Sequence, residues 1–340
     1  MRHKIAFIGF GKVGQGIGEI LLEKKQFLKE NYNFEFDLVA VCDLFYGNCY
    51  NPNGLNLQQL LKEAKNKNKF SKDLTNKDNC TLIKESNADI ICELTYTDFE
   101  TGGLAMEHVF AALSNGKHVI CCNKGPAALN YTEFKKLADR NKLLFLNEGT
   151  VCSGTPILNL SQGPLAGCKI SKIYGVLNGT TNYILSEMEQ GYDYNTVLLK
   201  AQQAGYLEAN LENDVKGYDA RGKVAILANM VMGVPLKLED IPCKGITGIT
   251  LPYIEETTKA NKRLKLIGCV ENKNGIISGY VAPEIISKSH PLYNISGTTN
   301  ALIFSTDLLG DITISGPGAG PIETGFAVLS DLLRIHREAN

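Results

Sequence analysis

The stretch that most restricts the fold is the amino-terminal run KIAFIGFGKVGQGIGEILLEK. A short apolar strand, Ile5–Ile8, leads into Gly9-Phe10-Gly11-Lys12-Val13-Gly14, after which Ile17, Ile20 and Leu21 recur at helical spacing. G-x-G-x-x-G between a strand and a helix has a specific physical reading. The first glycine makes a tight turn, the second lets backbone approach a pyrophosphate, and the third lets the helix pack on the strand. The amide-rich start of the helix then holds the anion. The run predicts a dinucleotide-binding domain at the start of the chain.

The following segments extend that domain. FDLVAVCDL supplies a strand, Leu38–Cys42, ending in Asp43, where an acid faces the adenosine ribose 2′-hydroxyl. An acid there repels a 2′-phosphate, and no Lys or Arg follows until Lys62, so NAD is slightly favoured over NADP. ADIICELTYTDFETGG gives a buried strand, Ile90–Leu94, that delivers Thr95-Tyr96-Thr97 to the carboxyl-end edge where open α/β sheets bind ligands. A helix is expected from about Gly103 to Asn115, and the strand His118–Cys122 ends in Asn123-Lys124-Gly125-Pro126. Nothing in that strand alternates, so Lys124 is not a solvent-face lysine of an amphipathic strand; it is a site candidate.

The second half carries a different cluster. KIYGVLNGTTNYILSEME reads as strand, Asn178-Gly179-Thr180 turn and helix, and NTVLLKAQQAGYLEA as a helix stopped by Gly205. GYLEANLENDVKGYDARGK then gathers Glu208, Asp214, Asp219 and Lys223. Asp219 and Lys223 are four apart and share a helix face, whereas Arg221 points the other way. Val224 to Ala228 are apolar on nearly all sides, which marks a buried helix. A buried lysine needs partners. Three acids and one lysine make a net negative pocket suited to a ligand with an ammonium group; a structural ion-pair network is the alternative. Residues 276–304 are strand-like, and ISGPGAGPIETGFAVLSDLLRIHRE closes with a Gly-rich loop and a helix whose Phe326, Leu329, Leu332, Leu333 and His336 fall on one face.

Totals narrow the function classes. A chain of 340 residues exceeds what one core organises, so two domains are expected. Lys+Arg 35 against Asp+Glu 36 leaves no basic stripe, which argues against nucleic-acid and membrane partners. The start resembles a signal peptide only until GKVGQG interrupts it, and no window approaches the ~20 apolar residues of a bilayer span, so the protein is expected in the cytoplasm. The ten cysteines form no C-x-x-C pair, the five histidines lack metal-ligand spacing, and Cys42, Cys92 and Cys121 read as strand filler. Neither G-x-S-x-G nor H-E-x-x-H is present.

Together, GFGKVGQG, ELTYTDFETG, GKHVICCNKGPAA, NGTTNYIL, GYLEANLENDVKGYDARGKVAILA and GPGAGPIETGFAVLSDLLRI resemble the homoserine dehydrogenase family along nearly the whole chain. The resemblance implies reversible hydride transfer between L-homoserine and L-aspartate 4-semialdehyde with NAD or NADP, in threonine, methionine and isoleucine biosynthesis. It implies Lys223 as general acid/base and Lys124 beside the cofactor and reacting oxygen. Glu208, Asp219, Asp214, Tyr206, Gly179 and Thr180 would surround the substrate, and Phe10, Gly11, Lys12, Val13, Thr95 and Gly320 would touch the cofactor. It also implies a homodimer and a structural Na+ held largely by backbone carbonyls of Glu148, Val151, Ser153 and Thr155. The architecture expected is α/β: a Rossmann-type domain from 1–135 plus 316–340, and an α+β substrate/dimerisation domain on a mixed sheet from 153–300. Segments 136–152 and 301–315 would make the dimer contact. Relatives often read G-Y-A-E-A-D-P where this chain has Leu207, Asn210 and Leu211, changes that would narrow or retune the pocket. With the chain ending just after the closing helix, no regulatory ligand-binding domain and no threonine feedback through one are expected. The rival readings are a dehydrogenase of the same fold acting on another amino- or oxo-acid, and a catalytically silent NAD-binding protein.

Overall fold

Strand β1 (Arg2–Ile8) is apolar from Ile5 to Ile8 and buried throughout that run, because it has a strand on each side. That is why these strands read as continuous rather than alternating hydrophobic runs. The computed structural model describes residues 2–203 and 211–338. They fall into two units, Met1–Gly154 with Gly320–Asn340, and Thr155–Ala319.

The first unit holds β1, β2 (Glu35–Cys42), β3 (Cys49–Tyr50), β4 (Ile90–Glu93), β5 (His118–Cys121) and β6 (Phe145–Leu146), in the order β3-β2-β1-β4-β5-β6. Every pairing is parallel except β2 with β3. The order reverses between β1 and β4, which is where sheets of this type open a crevice at the carboxyl ends of the strands. The Lys12–Glu23 helix follows the glycine turn and packs on the closing Pro321–Glu338 helix through glycines. A Cβ on Gly325 would sit 2.7 Å from Ile17 N, and one on Gly16 would strike the Pro321 carbonyl. The inward stripe is therefore Gly325, Val328, Leu329, Leu332 and Ile335 with His336. Phe326, expected on that face, is 48 % exposed and Leu333 only partly buried, since the helix presents its smallest side chain to its neighbour and Phe326 lies one residue further round.

The second unit is built on β7 (Ile170–Val176), β8 (Lys262–Lys273), β9 (Ile276–Ser287), β10 (Thr299–Thr306) and β11 (Gly310–Pro317), in the order β11-β10-β7-β8-β9. The expected mixed sheet is instead antiparallel in all four pairings. Tight hairpins impose this: Asn274 and Gly275, at φ 56° and 89°, turn β8 into β9, and a short loop turns β10 into β11. The Tyr218–Leu227 helix lies on this sheet at Val224, whose methyl groups fill the space left by Gly268 and Gly279; Cβ atoms there would come 3.0 and 2.7 Å from them. Among the described residues no helix is long and apolar enough to cross a membrane.

Candidate active site

The glycine turn has the geometry its sequence predicts. Gly9 takes φ 99°, and a Cβ on it would press 2.8 Å from the Leu94 carbonyl group. A Cβ on Gly14 would lie 2.7 Å from Gly9 O, so that glycine lets helix meet strand. Around Gly11 nothing lies within 4 Å of where a Cβ would be. The open side of Gly11, at the start of the Lys12–Glu23 helix, fits a pyrophosphate. Phe10 is buried among Phe7 and Phe70, so only its main chain can face a ligand; Lys12 is exposed and Val13 partly buried. Asp43 reaches back to this turn: Oδ2 accepts from Phe10 N at 2.8 Å, while Oδ1 accepts from Phe45 N at 2.8 Å and Tyr46 N at 3.0 Å. Gly320, at φ 141°, immediately precedes the closing helix.

At the ends of β4 and β5 the chain gathers polar groups. Thr95 is half-buried and donates N–H and hydroxyl hydrogens to the buried Glu93 carboxylate. Asn123 donates to Thr95 Oγ1 at 3.1 Å and Tyr96 O at 2.7 Å, and its Oδ1 accepts from Gly125 N at 2.9 Å, capping the Lys124–Leu129 helix. Lys124 N donates to Thr97 Oγ1 at 3.2 Å, and its side chain is partly buried. Sequence reasoning singled out Thr95 and Lys124 but passed over Glu93 and Asn123, although a carboxylate closing an otherwise apolar strand was a visible signal.

In the second unit the Lys223 ammonium is buried, 2.6 Å from Asp219 Oδ2, and donates to Leu177 O at 2.7 Å. The same carbonyl accepts from Asn300 Nδ2 at 3.0 Å. A buried ammonium needs such acceptors, and removing a carboxylate from a buried pair costs about 3–5 kcal/mol. Asn178 caps the Gly179–Met188 helix through Oδ1, 2.9 Å from Thr181 N. Its Nδ2 donates to Asp214 Oδ1 at 2.6 Å and Asp219 Oδ2 at 3.0 Å. Gly179 is required at its place, since a Cβ would sit 2.7 Å from Thr298 O; Thr180 beside it is half-buried. Lys223, Asp219, Asp214 and the 178–180 turn are thus brought together. Tyr206 and Glu208, with Leu207 and Asn210, lie outside the described residues. Asn178 was quoted in the sequence only as a turn, and Asn300 was not singled out.

Of the residues that the resemblance assigns to a cation, Glu148, Val151 and Ser153 belong to the first unit and Thr155 opens the second. All four are buried. Cys152 and Ser153 both adopt left-handed backbone, φ 57° and 56°, and Ser153 Oγ lies 2.8 Å from Thr324 Oγ1. Thr155 Oγ1 donates to Pro317 O at 3.2 Å. Among the described residues no group of three or more His, Cys, Asp or Glu is arranged to hold a metal.

Comparison with known proteins gives one answer for both units. Residues 9–144 match the family described as homoserine dehydrogenase, NAD binding domain, and residues 156–333 match the homoserine dehydrogenase family. An NAD(+)-dependent homoserine dehydrogenase of Pseudomonas canavaninivorans is 41 % identical over 99 % of this chain and 97 % of its own length. The solved structure of a provisionally named homoserine dehydrogenase from Archaeoglobus fulgidus superposes with a TM-score of 0.88 at 34 % identity, covering 98 % of this chain and 99 % of its own. A hyperthermophilic archaeal homoserine dehydrogenase in complex with NADPH does so with a TM-score of 0.85 at 27 % identity, covering 99 % and 98 %.

Proposed function

The chain belongs to the homoserine dehydrogenase family, and from that premise we propose how its own residues serve the family's reaction. The reaction is NAD(P)-dependent, reversible hydride transfer between L-homoserine and L-aspartate 4-semialdehyde in amino-acid biosynthesis. When bound, the nicotinamide supplies or accepts the hydride. Lys223 is the proton donor: its Nζ protonates the aldehyde oxygen on reduction and takes the proton back when homoserine is oxidised. Asp219 and the Leu177 carbonyl fix the direction of the Lys223 ammonium, and Asp214 and Asp219 hold the substrate ammonium beside the Gly179-Thr180 turn; Glu208 is a third acid for the same ammonium. Thr95 and Lys124, which follow β4 and β5, serve the nicotinamide half of the cofactor, where Lys124 offers positive charge. The observation that carries the reading is the buried Lys223–Asp219 pair, joined through Asn178 to a second carboxylate. Lys223→Met should lower kcat about 10²–10⁴-fold, the usual worth of a general acid/base, while leaving NADH affinity within about twofold. Undiminished homoserine oxidation by that variant, or activity of the native chain only on other hydroxy acids, would overturn the reading.

The cofactor favoured is NAD. Asp43, held by three backbone amides beside the glycine turn, keeps a carboxylate where a 2′-phosphate would come, and the 41 %-identical relative is NAD(+)-dependent. A higher kcat/KM with NADP than with NAD would reverse this choice. The buried loop Glu148 to Ser153, turned by two left-handed residues, suits an alkali cation bound by backbone oxygens. We assign the chain to the cytoplasm, which accords with its ten free thiols. A homodimer through segments 136–152 and 301–315 accords with the exposed edge of β11; light scattering tests it.

A further inference from the structure

The most completely buried acid–base pair of the first unit is not used by the reading above. Glu93 is 0 % exposed and His108 1 % exposed, and His108 Nδ1 lies 2.6 Å from Glu93 Oε2. A carboxylate only accepts, so Nδ1 carries the proton and Nε2 is left to accept from Asn79 Nδ2 at 3.3 Å. Glu93 closes β4, next to β1 where the strand order reverses. Burying a carboxylate at that point is costly unless its oxygens are filled. One is filled by His108 and the other by the amide and hydroxyl of Thr95.

From Thr95 the bonds continue. Thr95 Oγ1 accepts from Asn123 Nδ2, the same amide donates to Tyr96 O, and Asn123 Oδ1 caps the helix that Lys124 begins. An unbroken path of hydrogen bonds thus runs Asn79, His108, Glu93, Thr95, Asn123, each member held by the one before. We infer that His108 and Glu93 are positioning residues for the nicotinamide half of the cofactor: they lock the Thr95-Tyr96 peptide and, through Asn123, the backbone of Lys124. The inference rests on the assignment of Thr95 and Lys124 to that half. The adenosine half is served by other elements, the glycine turn and Asp43; Asn48, which accepts from Asp43 N at 3.1 Å and donates to Asn79 Oδ1 at 3.4 Å, meets the path only at its far end, away from Thr95.

That division supplies the test. ADP-ribose carries the adenosine and pyrophosphate but no nicotinamide, so isothermal titration of the full chain with NADH and with ADP-ribose reads the two halves separately. His108→Leu should weaken NADH about tenfold, the loss of one charge-assisted bond, and leave ADP-ribose within about twofold. It should also lower kcat at nearly constant KM for homoserine. His108→Asn keeps an N–H at the Nδ1 position and should restore NADH binding. Thr95→Val, which cuts the path beyond the buried pair, should reproduce the selective loss and decides the matter if His108→Leu does not fold. Equal weakening of both ligands, or no change in either, would overturn the inference. Lys124→Met tests the underlying assignment separately: unchanged kcat there removes the role of Lys124 and leaves the NADH to ADP-ribose ratio to judge His108.

Discussion

One carboxamide ties Asp214 and Asp219 to the start of a helix, and its substitution tests what that tie does for binding. Asn178→Ser keeps an N-cap acceptor, so the Gly179–Met188 helix should lose only a few tenths of a kcal/mol. It removes the donor shared by Asp214 and Asp219. The KM for homoserine should rise about tenfold, the worth of about one hydrogen bond to a charged group, while the melting temperature falls by a few degrees at most because water reaches the half-buried Asp214 and Asp219. A KM within twofold of native would show that the acids hold their places without the amide. The sequence made the Asp219–Lys223 pair legible because both residues lie on one helical turn. It hid Asn178, Glu93 and His108 because their importance comes from partners 36, 41 and 15 residues away, a separation no local pattern encodes.

Elements were legible where burial is two-sided and hidden where it is mixed. β1, β2, β4 and β5 announce themselves as apolar runs, whereas β8 carries Gly268 in its middle and a fully buried Lys265. That lysine donates to Asn182 Oδ1 at 3.1 Å, and burial pushes its pKa down to about 8. Charge and glycine within a strand break the pattern that marks one, although Asn274-Gly275 was a hairpin signal. The closing helix shows a related blind spot, since a stripe read from large side chains overlooks the glycine that sets the contact. Gly325→Ala should destabilise the protein by about 1–3 kcal/mol, because its methyl group meets backbone at Ile17 rather than a movable side chain. Phe326→Ser, on the exposed side, should change stability by less than about 0.5 kcal/mol. Urea midpoints of the two variants rank the contacts, and equal shifts would refute the glycine seam.

At the scale of the whole molecule, acid should loosen the first unit before carboxylates titrate. Burial lowers the pKa of His118 and His336 below the ordinary 6.5. His118 Nδ1 accepts from Leu144 N at 3.1 Å, with Asp89 and His3 as its titratable neighbours; His336 faces His3, Arg337 and the Tyr32 carbonyl. The folded state then binds fewer protons than the unfolded chain below about pH 6.5, so stability is full above that value and declines as pH falls through it. Urea midpoints between pH 7.5 and 5.5 should fall, and His118→Gln with His336→Gln should flatten the slope; an unchanged slope would exclude these two groups. The existence of two units was legible from length and motif. Their limits were less so, because Gly154 and Gly320 mark passages of backbone rather than changes of composition. The closing helix gives Val328, Leu332 and Ile335 to the same core as Ile5 and Phe7. On the ribosome, β1 must wait for a helix encoded roughly 310 residues downstream, about 15–60 s at about 5–20 residues per second. Throughout that interval a greasy groove on the nascent chain stands open, which makes the growing polypeptide a natural client for holding chaperones until its last helix emerges.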